Sequence, residues 1–194
     1  EDLTATETRW TMAKDALDIS LNTLIPSTSS KNKVAFVAFD SAVRSGYTVD
    51  ATSDKSKITT LVNGLTAPSP SYRGDSIQKG TNYKAAISTA SSYIDSFKAT
   101  DKTTPVYVIF LSDGEPDKGS AGNAATLKGK ATVYTVGLSL GSNASDTLKA
   151  YATDAAHHNN VTDTSVLSKV FGSIATAIAS KVTITDVINT DVFD

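Results

Sequence analysis

Hydrophobic positions in this chain recur with two periods that alternate along its length. Over residues 9–24, Trp10, Ala13, Ala16, Leu17, Leu21 and Leu24 return every three or four positions, the stripe of an amphipathic helix, and Pro26 ends it. Residues 33–43, K-V-A-F-V-A-F-D-S-A-V, read as a strand, with a shorter strand over 46–52 joined to it by a hairpin. A short helix over 55–65 and a Pro/Ser/Gly-rich loop over 66–79 follow. The next helix, 81–97, offers Ala85, Ile87, Ala90, Tyr93, Ile94 and Phe97 to a core. The run V-Y-V-I-F-L at 106–111 is too short to span a membrane and rich in β-branched and aromatic residues, which predicts a strand buried on both faces. A small helix is expected over 121–128, a strand over 131–140, a helix over 146–153 and a short strand over 160–162. The amphipathic helix at 165–180 carries Leu167, Val170, Phe171, Ile174 and Ile178.

Strands separated by helices of this length imply right-handed βαβ crossovers. The fold class is therefore α/β, a doubly wound, mostly parallel sheet with helices on both faces. From Val182 the pattern V-T-I-T-D-V-I-N-T-D-V-F-D returns to apolar/polar alternation, which predicts a strand leaving toward a second domain. Residues 1–181 are thus expected to form one domain, and 182–194 the start of an adjoining β-type domain or a linker strand.

Composition removes several functions. With 40% hydrophobic and 20% charged residues among 194, the chain can bury a full core. Its net charge of −2 and lack of basic runs argue against nucleic acid and a membrane surface, and no segment approaches 18 apolar residues, so no direct membrane insertion is expected. The absence of cysteine excludes disulfides, thiol catalysis and a thiolate zinc site. There is no G-x-S-x-G elbow and no H-E-x-x-H, and Gly129-Lys130 is followed by Ala131 rather than a hydroxyl residue, so no nucleotide-binding loop is present. His157 and His158 are adjacent, a spacing that suits a surface loop better than a metal pair. Asn143-Ala144-Ser145 and Asn160-Val161-Thr162 fit the glycosylation pattern, which has meaning only in a eukaryotic secretory pathway.

Two segments carry chemistry. The strand at 106–111 stops at Ser112-Asp113-Gly114, where the chain turns, and Pro116 prevents further pairing. Asp113 is thereby placed at the C-terminal end of a strand, where open α/β sheets form their ligand crevice. Gly80-Thr81-Asn82 precedes the long helix, so the Thr81 hydroxyl emerges at a helix N-terminus on the same rim. A hydroxyl and a carboxylate are hard oxygen donors suited to Mg²⁺, Mn²⁺ or Ca²⁺. The plainer readings are an Asp-Gly turn at 113–114 and a helix cap at Thr81.

These motifs, Leu111-Ser112-Asp113-Gly114-Glu115-Pro116 and Gly80-Thr81-Asn82, together with the order of elements from 9 to 180, resemble the von Willebrand factor type A domain. The resemblance implies a metal-ion-dependent adhesion site (MIDAS) built from an Asp-x-Ser-x-Ser loop, a Thr and an Asp. Thr81 and Asp113 match the second and third parts, with Asn82, Gly114 and Glu115 on the surrounding ligand rim. It implies a Mg²⁺ cofactor, or Mn²⁺ or Ca²⁺, and a partner carboxylate completing the shell. The expected partners are a host extracellular-matrix or cell-surface protein and neighbouring pilin or stalk domains. In style the chain is similar to the adhesins of Gram-positive pilus tips and cell walls, so an extracellular, surface-anchored location is expected.

The Asp-x-Ser-x-Ser loop has no counterpart in these residues. Asp18-Ile19-Ser20-Leu21-Asn22 has a similar spacing but falls inside the first helix. In the family, the strand before that loop lies mid-sheet, between the strands here at Val34 and Val106. Burying its neighbours' edges unpaired would cost roughly 1–3 kcal/mol per polar group, against a total stability of about 5–15 kcal/mol. The strand and its loop are therefore expected upstream of Glu1, with 182–193 as the alternative occupant. Arg73-Gly74-Asp75 is the tripeptide read by some integrins, and a solvated loop is its plainer reading. Two other functions stay open: a structural module with a degenerate metal site, and an enzyme or subunit of a cation-dependent machine, which the absent motifs disfavour.

Overall fold

The computed structural model describes residues 3–27, 30–64, 80–163 and 166–191, with side chains described between 11 and 180. The order of elements is α1 (Leu3–Leu24), β1 (Val34–Phe39), β2 (Val43–Thr52), α2 (Lys55–Gly64), α3 (Tyr83–Thr100), β3 (Tyr107–Ser112), α4 (Ala125–Lys128), β4 (Thr132–Leu138), α5 (Ser142–Tyr151), β5 (His158–Val161) and α6 (Leu167–Asp191). The loop expected over 66–79, and Arg73-Gly74-Asp75 within it, lie outside the described residues.

The strands form two sheets. β1 and β2 are an antiparallel pair, as the hairpin pattern predicts. β3, β4 and β5 form a parallel sheet in that order, in register Tyr107 with Thr132 and Thr135 with His158. Helices cover both faces of the parallel sheet, the arrangement expected of α/β connections. On one face, Tyr83, Ile87 and Ile94 of α3, Leu127 of α4 and Leu148 and Tyr151 of α5 pack on Phe110 and Val133. On the other, Ala16 of α1 and Leu167, Phe171, Ile174 and Ile178 of α6 pack on Tyr134, Val136 and Leu138. Val133 faces one layer and Tyr134, Val136 and Leu138 meet the other, so β4 carries both halves of the core. A third cluster joins Leu21 of α1 to Ile58 and Val62 of α2 over the hairpin residues Val34, Phe36 and Val49.

Two expectations are corrected and one is refined. The run at 106–111 does pack on both faces, Val106, Val108 and Phe110 against one layer and Tyr107, Ile109 and Leu111 against the other, but less deeply than its neighbour: within β3 only Phe110 and Ser112 are buried, whereas β4 is buried from Val133 to Leu138. β4 has a strand on each side, and among the described residues β3 has only β4 beside it. The stretch from Val182 is not a strand, since α6 continues through Asp191. No Gly or Pro separates Ser180 from Val182 to stop the helix, and Ile184, Val187 and Ile188 also fit a helical spacing, so β-branched propensity alone did not decide. His158 is not on a surface loop but on β5. Its Nδ1 meets the Thr135 hydroxyl at 2.8 Å and its Nε2 the Ser145 hydroxyl at 3.2 Å. His157 instead pairs through Nδ1 with Asp154 at 2.7 Å and packs its ring, tilted by 60°, against Tyr134. Asp18–Asn22 is helical as expected, and Ser20 is buried against the Phe171 carbonyl.

Leu148 is fully buried between α5 and β4. Leu148→Ala is expected to lower unfolding free energy by about 2–5 kcal/mol, read from urea denaturation midpoints. Burial pushes the His158 imidazole below its ordinary value, with Lys149 adding to the effect and Asp146 opposing it. The folded chain therefore binds that proton less readily than the unfolded one. Stability from His158 is complete above about pH 6.5 and declines as pH falls below it. Denaturation midpoints followed downward from pH 7 should show this slope, and His158→Asn should flatten it.

Candidate metal centre

The C-terminal ends of β1 and β3 and the start of α3 meet at one rim, held together by backbone hydrogen bonds. The Asn82 N–H donates to the Asp40 carbonyl at 2.7 Å, just past the end of β1. The Asn82 side chain donates to the Ser41 carbonyl at 3.0 Å and accepts from the Ala85 N–H at 3.0 Å. Asn82 is thus the N-cap of α3. That role, one of the plainer readings of Thr81, belongs to its neighbour, which leaves the Thr81 hydroxyl free of capping.

The turn after β3 is fastened from below. The Tyr83 hydroxyl donates to the Gly114 carbonyl at 2.6 Å, and the Ser112 hydroxyl approaches the same carbonyl at 3.2 Å. The Gly114 N–H in turn donates to the Ser112 oxygen at 3.3 Å. Tyr83 is itself fully buried, packed edge-on against Phe39, Phe110 and Tyr151. Burial pushes its phenol above the ordinary value, and the nearby carboxylates of Asp113 and Glu115 contribute in the same direction. Asp113 is consequently displayed on a braced turn with its side chain exposed, and no described residue makes a hydrogen bond or ion pair to its carboxylate.

Thr81 and Asp113 are brought to the same place. A Cβ added at Gly114, the residue after Asp113, would sit 3.2 Å from the Thr81 hydroxyl oxygen. The rim residues suggested by resemblance divide. The Asn82 amide is committed to the cap and to Ser41, the Gly114 carbonyl is taken by Tyr83, and Glu115 stands exposed.

Sequence reasoning missed three residues. Tyr83 fell inside the predicted helix at 81–97 but was not among the residues offered to a core. Asp40 follows β1 as Asp113 follows β3, and that parallel was the available signal. Its carboxylate accepts from the Ala42 N–H at 3.0 Å and pairs with the Arg44 guanidinium. Asp117 closes the D-G-E-P-D run and touches Thr81. In donor type, the Thr81 hydroxyl and the Asp113 carboxylate suit a hard divalent cation. They are two of the roughly six oxygens such an ion takes, and among the described residues no group of three His, Cys, Asp or Glu side chains gathers around a point.

The sequence model of the von Willebrand factor type A domain matches residues 2–115, and the chain belongs to that family. No curated protein sequence matches the chain. Among solved structures, the vWF domain of the type V pili tip protein Mfa5 from Porphyromonas gingivalis superposes with a TM-score of 0.67 at 14% identity, over 92% of this chain and 90% of that one. The pilus adhesin SpaC from Lactobacillus rhamnosus GG gives a TM-score of 0.69 at 12% identity over 92% of this chain, which spans 29% of SpaC. Proximal thread matrix protein 1 from the mussel byssus, in a form with a zinc-occupied MIDAS motif, gives 0.58 at 15% identity, over 89% of this chain and 40% of that protein. At these identities the likeness is one of fold.

Tyr83→Phe removes the hydroxyl while preserving the ring packing. It is expected to cost about 1 kcal/mol of unfolding free energy, measured by urea denaturation, with the fold unchanged by circular dichroism.

Proposed function

We propose that the rim carrying Thr81 and Asp113 is part of a divalent-cation site through which this domain captures an acidic group of a protein partner. The observation that carries the reading is the Thr81 hydroxyl, released from helix capping by Asn82 and lying against the residue next to Asp113. Thr81 and Asp113 would hold the ion, Mg²⁺ or else Mn²⁺ or Ca²⁺, all of which take hard oxygen donors such as these. The remaining donors are assigned to a loop of the family's Asp-x-Ser-x-Ser type and to the partner's carboxylate. A bound cation supplies concentrated positive charge with an open coordination position, so an acidic side chain becomes a ligand rather than a weak surface contact.

The protein's own residues keep the two donors in place. Tyr83 and Ser112 brace the turn that presents Asp113, and Asn82 fixes the helix start that presents Thr81. The zinc-occupied MIDAS motif of the mussel thread protein and the pilus settings of Mfa5 and SpaC support this reading. They also support a surface location at a pilus tip or cell wall, with a host matrix or cell-surface protein as partner and pilin or stalk domains as neighbours. No helix among the described residues is long and apolar enough to cross a membrane. The role is adhesive rather than enzymatic. A structural module with a degenerate site is the second reading, favoured by the lack of a cluster of three metal-binding side chains among the described residues.

Calorimetric titration of Mg²⁺ and Mn²⁺ into the full-length protein tests the first reading against the second. Saturable uptake of about one ion per chain is expected, with Asp113→Ala abolishing it and leaving the circular dichroism spectrum unchanged. Uptake that survives Asp113→Ala removes that residue from the site, and no uptake by the parent protein moves the structural-module reading ahead.

A further inference from the structure

Thr81 is gripped at both of its backbone polar groups by a single residue. Its N–H donates to Oδ2 of Asp117 at 3.0 Å, and its carbonyl accepts from the Asp117 N–H at 3.0 Å. We propose that Asp117 is a positioning residue for the cation site, acting through Thr81 and not by ligating the ion. This inference rests on the reading above and adds to it the part that sets the Thr81 hydroxyl.

The argument is geometric. Two hydrogen bonds on either side of one Cα fix both backbone dihedrals there. The hydroxyl is then left only the few staggered positions of χ1. The N–H bond to a carboxylate is charge-assisted, hence stronger and more directional than one to a neutral acceptor. The carboxylate occupies space that only glycine leaves open, since a Cβ on Gly80 would lie 2.5 Å from Asp117 Oδ2 and 2.9 Å from the Ser41 Cβ. Oδ2 is therefore on the Gly80 and Ser41 side of Thr81, whereas the Thr81 hydroxyl meets Gly114.

The clamp is anchored in its turn. The Asp117 carbonyl accepts from the Ser120 N–H at 2.8 Å, and the Ser120 carbonyl accepts from the Lys84 N–H at 2.8 Å, in the first turn of α3. Gly122, at φ +75°, lets the chain pass so close that a Cβ there would sit 2.8 Å from the Lys84 Cα. The loop after β3 thus returns to the same helix start that bears Thr81, and Asp117 is where it closes. The segment D-G-E-P-D then has two functional carboxylates of different kind, Asp113 facing outward and Asp117 turned to the backbone.

The test uses Asp117→Ala, Asp117→Asn and Gly80→Ala, with Mn²⁺ titration and NMR amide hydrogen exchange at Thr81 as independent readouts. Asp117→Ala should weaken Mn²⁺ binding about 10–100-fold, the usual loss for a residue that orients a ligand, and speed Thr81 exchange measurably. Asp117→Asn keeps an amide oxygen to accept from Thr81 and should restore both readouts toward the parent values. Gly80→Ala, which leaves Asp117 in place but displaces its carboxylate, should reproduce the loss and serves if Asp117→Ala does not fold. Equal loss in Asp117→Asn and Asp117→Ala, with Thr81 exchange still protected in the former, would mean that the charge itself matters, and would overturn the positioning role. Unchanged Thr81 exchange in Asp117→Ala would overturn the clamp whatever the ion does. A parent protein that takes up no Mn²⁺ while its Thr81 exchange responds to Asp117→Ala would sink the cation reading and uphold the clamp, so the two failures are distinguishable.

Discussion

The hydrogen bond from the buried Tyr83 hydroxyl to the Gly114 carbonyl is the constraint on which the rim depends. It connects the first turn of α3 to the turn after β3, two segments about thirty residues apart in sequence, through a ring that is also the centre of the aromatic cluster. A phenol enclosed this way needs an acceptor, because an unpaired buried hydroxyl carries a desolvation penalty of about 1–3 kcal/mol. Satisfying it brings Gly114 down onto α3 and leaves Asp113 on the outer side of the turn. The apolar core and the polar rim are thus coupled by one side chain, apolar in body and polar at its tip.

Around that point the protein uses backbone groups more than side-chain charges to build its surface. Asn82 binds the carbonyls of Asp40 and Ser41 through its backbone and amide N–H groups, and Asp117 binds the N–H and carbonyl of Thr81. Gly80 is required by the closeness of that approach. Such contacts fix position without neutralising the exposed acids of the rim. Asp113 and Glu115 remain open to solvent, whereas Asp40 is tied to Arg44.

The family relationship is borne by a pattern far more than by identities. Structures that share only 12–15% of their residues with this chain superpose over about nine tenths of it. The shared part is the alternation of helix and strand and the burial it imposes, which many sequences satisfy. Function in such a fold rests on a handful of side chains at one end of the sheet, so the rim and not the fold has to carry the adhesive reading.

The order and type of the elements were legible in the sequence, because hydrophobic period is a local property that needs no knowledge of neighbours. So was the placement of Thr81 before α3 and Asp113 after β3, since a strand end and a helix start are marked by Gly, Pro and Asn. Depth of burial was not legible: V-Y-V-I-F-L packs on both helix layers, yet β4, with a strand on each side, is the more deeply buried, and among the described residues β3 has only β4 beside it. Nor was the state of residues 182–191, where the same letters fit an alternating strand and the continuation of α6. The roles of Tyr83 and Asp117 came only with the fold, because each acts on a partner more than thirty positions away, and sequence spacing carries no information about which distant backbone group a side chain will meet.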